Sequence, residues 1–372
     1  MRKVAQMPAR VFVLMSLLGA VAILGCHSDA AFVPADPALH SRTGAAAALV
    51  KGPVVTATAL DGAGGCTYSS SACAINPAGQ IVGSCSTNET TRAVLWQDGL
   101  MTDLGTLGGW ASQAYGINAA GQVVGWSGTS DNLNSRAFLW EKGAMTDLGV
   151  LHEGGWSEAH AINAAGQIVG AASTGREWWS SHAVLWQKGV MIDLGALAGD
   201  VSSASGINSA GKVVGDSYVP FGEFPSAYVI HAFLWDNGVM TDLGTLGGTS
   251  SHALAINASG QVVGMSVTSG GQAHAFLWEK GVMRDLGSLG GGYSEARAIN
   301  PAGQIVGRST TSSGADHAFL WEKGVMTDLG MLGGTSSYAY GSIASGINPA
   351  GQIVGVSYSA QFLGRATKWT IK

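Results

Sequence analysis

The chain has 372 residues, 56 of them glycine; only 12% are Asp, Glu, Lys or Arg, and the formal net charge is -5. No basic stripe offers itself to nucleic acid. So little charge beside so much glycine, Ser and Thr suits an all-β protein outside the cytoplasm rather than a cytosolic enzyme.

Residues 1-25 read as an export signal. Arg2, Lys3 and Arg10 form a basic head, and Val11 to Leu24 is apolar apart from Ser16 and Gly19, which is short for a membrane span. Ile23-Leu24-Gly25-Cys26 resembles a bacterial lipobox, with Leu24 where a smaller or β-branched residue is usual. Cys26 would then be acylated and become the first mature residue. His27 follows it in place of the Asp that retains many lipoproteins in the inner membrane, so the expected location is the outer membrane. Without the lipid the protein would be secreted or periplasmic. Residues 26-52 are Ala-rich, lack periodicity and read as a tether; the folded domain is expected over 53-372.

Cys66, Cys73 and Cys85 follow close together. An oxidising compartment allows one pair to bridge. Cys73 with Cys85 is attractive because the two lie on the arms of one hairpin, but Cys66 competes. Their spacing is not that of a zinc site.

From there the chain repeats itself. An Asn-(Pro/Ala/Ser)-(Ala/Ser)-Gly phrase begins at Asn76, Asn118, Asn163, Asn208, Asn257, Asn300 and Asn348, at intervals of 42 to 49 residues. Between copies runs (His/Arg)-Ala-(Phe/Val)-Leu-Trp-x-x-Gly-x-Met-Thr-Asp-Leu-Gly, with small departures. Residues 249-291 show how one unit folds. Ser251 to Ile256 predicts a first strand, and Asn257-Ala258-Ser259-Gly260 a turn in which Asn caps the corner and Gly supplies positive φ. Gln261 to Ser266 predicts a second strand. His274 to Trp278 alternates as a third, Glu279-Lys280-Gly281 makes a tight hairpin, and Val282 to Leu286 is the fourth. A sheet apolar on both sides needs a neighbour on each, so the repeat predicts radial stacking.

The ends fix the count. Gly52 to Leu60 matches the fourth-strand phrase, and Arg365 to Thr370 matches the third and stops. The first strand and the last three should share one blade, giving a closed seven-bladed β-propeller of four-stranded blades. An open solenoid is the alternative, but it would need caps that the sequence lacks. The units resemble the HAF-type extracellular repeat, named for the triplet at His231-Ala232-Phe233, His274-Ala275-Phe276 and His317-Ala318-Phe319. The resemblance runs from residue 53 onward. Arg92 and Arg136 replace His, and Thr367-Lys368 replaces the apolar pair in the last copy. It implies repetition and export, and no reaction or ligand.

The turns after the first and third strands keep their length and fall on one face of the disc. The links between strands two and three, and from blade to blade, vary and fall on the other. That face is where recognition is expected. Its links carry Trp110, Trp156, Glu177, Trp178, Trp179, Tyr218, Phe221, Glu223, Phe224, Tyr228, Tyr338 and Tyr340, and Trp126 ends a second strand. Aromatic rings beside a carboxylate suit a sugar platform or a protein groove. The once-per-blade Trp96, Trp140, Trp186, Trp235, Trp278, Trp321 and Trp369 read as packing between blades. The His or Arg that starts each third strand should pair with the Asp that ends the fourth.

No nucleophile elbow, His-Glu-x-x-His triad or phosphate loop is present, so no catalytic residue is assigned. His152, Glu153, Glu158, His160 and Glu177 form the one ionisable group that could serve a glycoside hydrolase or polysaccharide lyase. No cofactor is called for; a structural calcium or other ion is left open. The expectation is a monomeric, extracytoplasmic binding propeller whose partner is a glycan. An envelope scaffold that holds another protein is the alternative. The membrane would be touched only through an N-terminal lipid.

Overall fold

The Asn that opens each repeat phrase makes the turn its chemistry dictates. Asn118 Oδ1 accepts the N–H groups of Ala120 and Gln122 at 3.0 and 3.1 Å, and Gly121, at φ 79°, donates to Asn118 O at 3.1 Å. The second turn is a tight hairpin whose two central residues both have positive φ. Lys280 and Gly281 lie at 51° and 87°, and Asn237 with Gly238 at 49° and 91°. This is the geometry that matches the twist of the flanking strands.

The computed structural model describes residues 55–60, 66–131, 134–175, 180–221, 228–332, 341–358 and 363–371. The predicted signal, Cys26 and the tether lie outside these residues. In the fifth unit the strands are Gly247–Ile256, Val262–Thr268, Ala273–Glu279 and Val282–Asp285. The first begins four residues before the expected Ser251, because Gly247 pairs with Thr268 and the register then slips. Gly248 permits the slip: a Cβ there would lie 2.6 Å from Val267 O.

A second glycine is demanded in every copy. The first strand bulges between Ala253 and Ala255 and drops its backbone onto the second, so a Cβ on Gly264 would meet His252 O at 1.9 Å. The equivalent Gly83, Gly125, Gly170, Gly215, Gly307 and Gly355 stand 1.9 to 2.0 Å from the same carbonyl of their own blades. Only a residue without Cβ fits there.

Five separate four-stranded sheets and one of eight make seven blades, the larger sheet being blades five and six joined by a single parallel bridge, Ala273 to Tyr293. Blades one to six run from Ser69, Gly108, Ser157, Ser202, Gly247 and Gly290. Blade seven combines Ser342–Ile347, Ile353–Tyr358 and Gly364–Ile371 with Val55–Ala59, paired antiparallel from Val55↔Ile371 to Ala59↔Thr367. The clasp is the one the chain ends predict, and it rules out the open solenoid.

First strands touch first strands all the way round, so they form the innermost ring. Each Asn turn also reaches its neighbour. Asn76 Nδ2 donates to Asn118 O at 3.1 Å, Asn118 to Asn163 O, Asn163 to Asn208 O, Asn208 to Asn257 O, Asn257 to Asn300 O and Asn300 to Asn348 O. Asn348 Nδ2 returns to Asn76 O at 3.2 Å, and the circle is complete. At the other end of the first strand, a buried Ser ties each blade to the one before. Ser251 Oγ accepts Ala232 N–H at 2.9 Å and donates to Gly244 O at 2.6 Å.

The cores lie between blades. Val214, Ala232 and Leu243 of blade four pack on Ala253, Val262 and Phe276 of blade five, with Trp278 against them. Burying Phe276 completely contributes about 2 to 3 kcal/mol. Trp96, Trp186 and Trp369 are buried, and Trp140, Trp235 and Trp321 pack partly buried against the same kind of cluster. They are packing residues, as expected. Five of the six predicted pairs form among the described residues, Arg92 with Asp103 being the exception. His182, His231, His274 and His317 Nδ1 lie 2.7 to 2.9 Å from Asp193, Asp242, Asp285 and Asp328, and Arg136 lies 3.8 Å from Asp147.

Of the two partners left open for Cys85, Cys66 takes the bond, and none of the three cysteines is a free thiol. Cys85 sits opposite Ser70, three residues short of Cys73 along the first strand, about 10 Å at the strand rise. The two arms of the hairpin are adjacent, but these two positions are not.

Candidate functional site

The antiparallel order of each blade places the Asn turns and tight hairpins at one end of the strands and the variable links at the other. Exposed apolar side chains divide along the same line. Among the described residues the exposed aromatics are Tyr68, Trp110, Tyr218, Phe221 and Tyr228, and all stand at the variable end. The exposed Leu100, Val190, Val239, Val282 and Val325 instead follow the tight hairpins on the outer strands.

Trp110 is the most open of these rings, 62% exposed near the start of blade two's first strand, where its carbonyl accepts the Thr90 hydroxyl of blade one. Trp126 is half-buried, across from Gln113, and its Nε1 donates to Tyr115 Oη at 3.1 Å. Trp156 is half-buried just ahead of blade three's first strand, and its carbonyl accepts Ser173 N–H at 2.9 Å. Tyr218 and Tyr228 flank the Val219–Val229 pair at the tip of blade four, their ring centroids 6.3 Å apart, with Phe221 just beyond. Glu177, Trp178, Trp179, Glu223, Phe224, Tyr338 and Tyr340 lie outside the described residues.

The ionisable group around Trp156 divides. His152 and Glu153 are exposed in the approach to blade three. Glu158 and His160 belong to its first strand, with His160 Nε2 3.7 Å from Glu158 and Nδ1 2.8 Å from Ala204 O of the next blade. Ser157 and Ala159 enter the core against the preceding blade, so Glu158 lies on the opposite face of the strand, and the bulge after Ala159 turns His160 onto the carbonyl of the next blade.

These two positions, with the residue after the invariant glycine of strand two, form a wall on the innermost strands and their neighbours, of which the sequence reading singled out only Glu158, His160 and Trp126 as site candidates. Blade one places Ser71, Cys73 and Ser84 there, blade two Gln113, Tyr115 and Trp126, and blade seven Ile343, Ser345 and Val356. Blades three to six carry charge instead. Asp216 of blade four reaches across to blade five, its Oδ2 2.8 Å from His252 Nδ1 and its Oδ1 accepting Ala253 N–H at 3.1 Å. In blade six, Glu295 lies 3.1 Å from Arg297 Nε and 2.9 Å from Arg308 Nε, and accepts Tyr293 Oη–H at 2.8 Å. Arg308 also covers the Tyr293 ring at 5.0 Å and stands 4.0 Å from Asp316. The signal was in the sequence: a comparison of strand residues copy by copy, rather than of loops alone, isolates these positions.

The electrostatics follow from burial and neighbours. Burial opposes the charge on Glu295, yet Arg297 and Arg308, with hydrogen bonds from Tyr293 and Arg308, hold its carboxyl down at about 2. Burial and the charge of Glu295 push the Tyr293 hydroxyl up. His252 is lowered by burial and raised more by the charge and hydrogen bond of Asp216 and by Glu295, so it protonates above its ordinary 6.5. Among the described residues no group of three or more His, Cys, Asp or Glu could hold a metal ion.

Comparison with solved structures supports the fold. The β-propeller domain of the trilobed protease from Pyrococcus furiosus aligns over 82% of this chain and 95% of its own, at 9% identity and a TM-score of 0.56. A puromycin-hydrolyzing peptidase of Mycobacterium tuberculosis aligns over 81% of this chain at 12% identity and a TM-score of 0.55, and the Pyrococcus horikoshii acylaminoacyl peptidase over 82% at 10% and 0.53. This chain spans about half the length of those two peptidases, 51% of each. At such identities the likeness is one of fold alone. The protease domain is described as having an open velcro topology, whereas here Val55–Ala59 closes the last blade. No protein-family model and no curated protein matches the chain.

Proposed function

We propose that the protein is an extracytoplasmic binding propeller that holds a glycan on its variable face. One observation carries this reading: every exposed aromatic side chain among the described residues stands at that end of the strands. Flat rings cover the apolar faces of pyranoses, and nearby carboxylates and amides take the hydroxyls. The rings sit on a closed, hydrogen-bonded disc, so little ordering entropy is lost on binding. The Cys66–Cys85 disulfide fits an oxidising compartment. Export through residues 1–25 and a lipid on Cys26 belong to the same proposal.

The test is binding of the purified chain to bacterial, plant and algal glycans, beside a Tyr218→Ala/Tyr228→Ala variant and a Trp178→Ala/Trp179→Ala variant. Selective binding that either variant loses, with circular dichroism and melting unchanged, is the expected result. Absence of binding across the panel sinks the carbohydrate reading and favours the envelope-scaffold alternative. The exposed Leu100, Val190, Val239, Val282 and Val325 on the outer strands support that second reading. A stable protein partner lost on changing Val239 and Val282 to Lys would establish it.

A further inference from the structure

Charges withdrawn from water cost several kcal/mol each unless they are well paired, so charges inside a fold that has no need of them call for a use. Blade seven is the internal control. Where blade six has Glu295, Arg297 and Arg308, it has Ile343, Ser345 and Val356, and it builds the same four-stranded sheet. The charged residues fall in consecutive blades, from Glu158 in blade three through Asp216 and His252 to blade six, where Asp316 at the start of the third strand stands beside Arg308. They are not sealed. The side chains of Glu158, Asp216, Arg308 and Asp316 each keep 23 to 26% of their surface in contact with solvent.

We propose that this arc of the inner wall is the specificity-determining part of the glycan site, and that it selects a neutral saccharide over an acidic one. The inference rests on the carbohydrate reading above. Donors and acceptors stand side by side here: Arg308 has Glu295 at 2.9 Å and Asp316 at 4.0 Å. A vicinal diol matches that pattern, one hydroxyl accepting from the guanidinium while its neighbour donates to a carboxylate. Asp216, fixed by His252 and by Ala253 N–H, is a second oriented acceptor.

The sign of the wall does the selecting. Glu158, Asp216, Glu295 and Asp316 oppose Arg297 and Arg308, so the carboxylates outnumber the guanidiniums even with His252 protonated, on a chain whose net charge is -5. A uronate or sulfate ester would give up its hydration to enter a field of its own sign, and a hydroxyl would not.

Purified full-length protein should be titrated with neutral oligomers (cello-, xylo-, manno- and chito-oligosaccharides, laminarin and methyl-esterified homogalacturonan) and with acidic ones (alginate and de-esterified homogalacturonan). The expected result is binding of at least one neutral glycan, with the acidic glycans about tenfold weaker or unbound. Asp316→Asn and Asp216→Asn should each weaken the neutral glycan about tenfold, the scale of one charged hydrogen bond. Asp316 is the safer variant because it is partly exposed and its loss leaves the Asp216–His252 contact whole. A preference for alginate or de-esterified homogalacturonan overturns the proposal. Unchanged neutral binding in Asp316→Asn and Arg308→Lys, with loss in Tyr218→Ala/Tyr228→Ala, also overturns it while leaving the ring platform standing. No glycan binding by any form removes both.

Discussion

Two sets of positions on the first strands obey different rules. At the Asn-turn end, seven copies place the same amide on the next blade's carbonyl and close a circle. A few residues back along the same strands, the wall holds Ser71, Gln113, Glu158, Ser203, His252, Glu295 and Ile343 in turn. A backbone that accepts serine, isoleucine and a buried carboxylate at equivalent places does not depend on any of them. What repeats is scaffold, and what departs in the middle of a repeat is where chemistry has been added.

That contrast can be broken most decisively at a repeated position. Gly264→Ala drives a methyl into His252 O and should cost more than about 3 kcal/mol in denaturant unfolding; a loss below 1 would mean the bulge is not obligatory. Cys66→Ser/Cys85→Ser should cost about 3 kcal/mol, as expected for a loop of 19 residues. Hydrogen exchange should then quicken along Val55–Ala59 and the start of blade one, because Arg365 of blade seven donates to Cys66 O across that seam. Asn118→Ala removes a cap and one link of the circle and should cost about 2 kcal/mol.

The departing positions should behave oppositely. Replacing Glu295, Arg297 and Arg308 together by Ile, Ser and Val, the residues of blade seven, should leave the melting temperature unchanged or raised while glycan binding disappears. A large loss of stability would show the charges to be structural. The smallest effect is in pH. His252 protonates above 6.5 when folded, so its contribution is complete below that value and fades as pH rises through the raised folded pKa. Glu295 has the reverse sign, contributing above 4.5 and losing its effect as pH falls toward about 2. Melting curves of the protein and of His252→Gln between pH 5 and 9 should therefore converge toward the alkaline end.

Much of this was legible from the sequence, for a physical reason. Turn chemistry is local, so Asn257 to Gly260 and Lys280-Gly281 announce themselves, and the clasp follows because Gly52 to Leu60 and Arg365 to Thr370 complete one phrase. The amide circle was not legible, since each bond joins residues a full repeat apart. The exclusive need for glycine at Gly264 arises from a bulge in the partner strand, which no single-strand pattern reveals. Cys85 found Cys66 rather than Cys73 because cross-strand register, not hairpin membership, decides what meets. The Asp216–His252 contact joins two blades and could be anticipated only by aligning the copies and asking which inward residues disagree.

The clasp also imposes an order of events. Six of the amide links join neighbouring units and can form as each blade is made, but Asn348 to Asn76 spans 272 positions, and Val55–Ala59 has no partner strand until Gly364–Ile371 is available. Contacts so distant in sequence form slowly and late. The earliest strand of the domain must therefore wait for the latest. A chain emerging from its N-terminus would stay an open, pliable arc, and it would set into a ring only once its final blade had arrived.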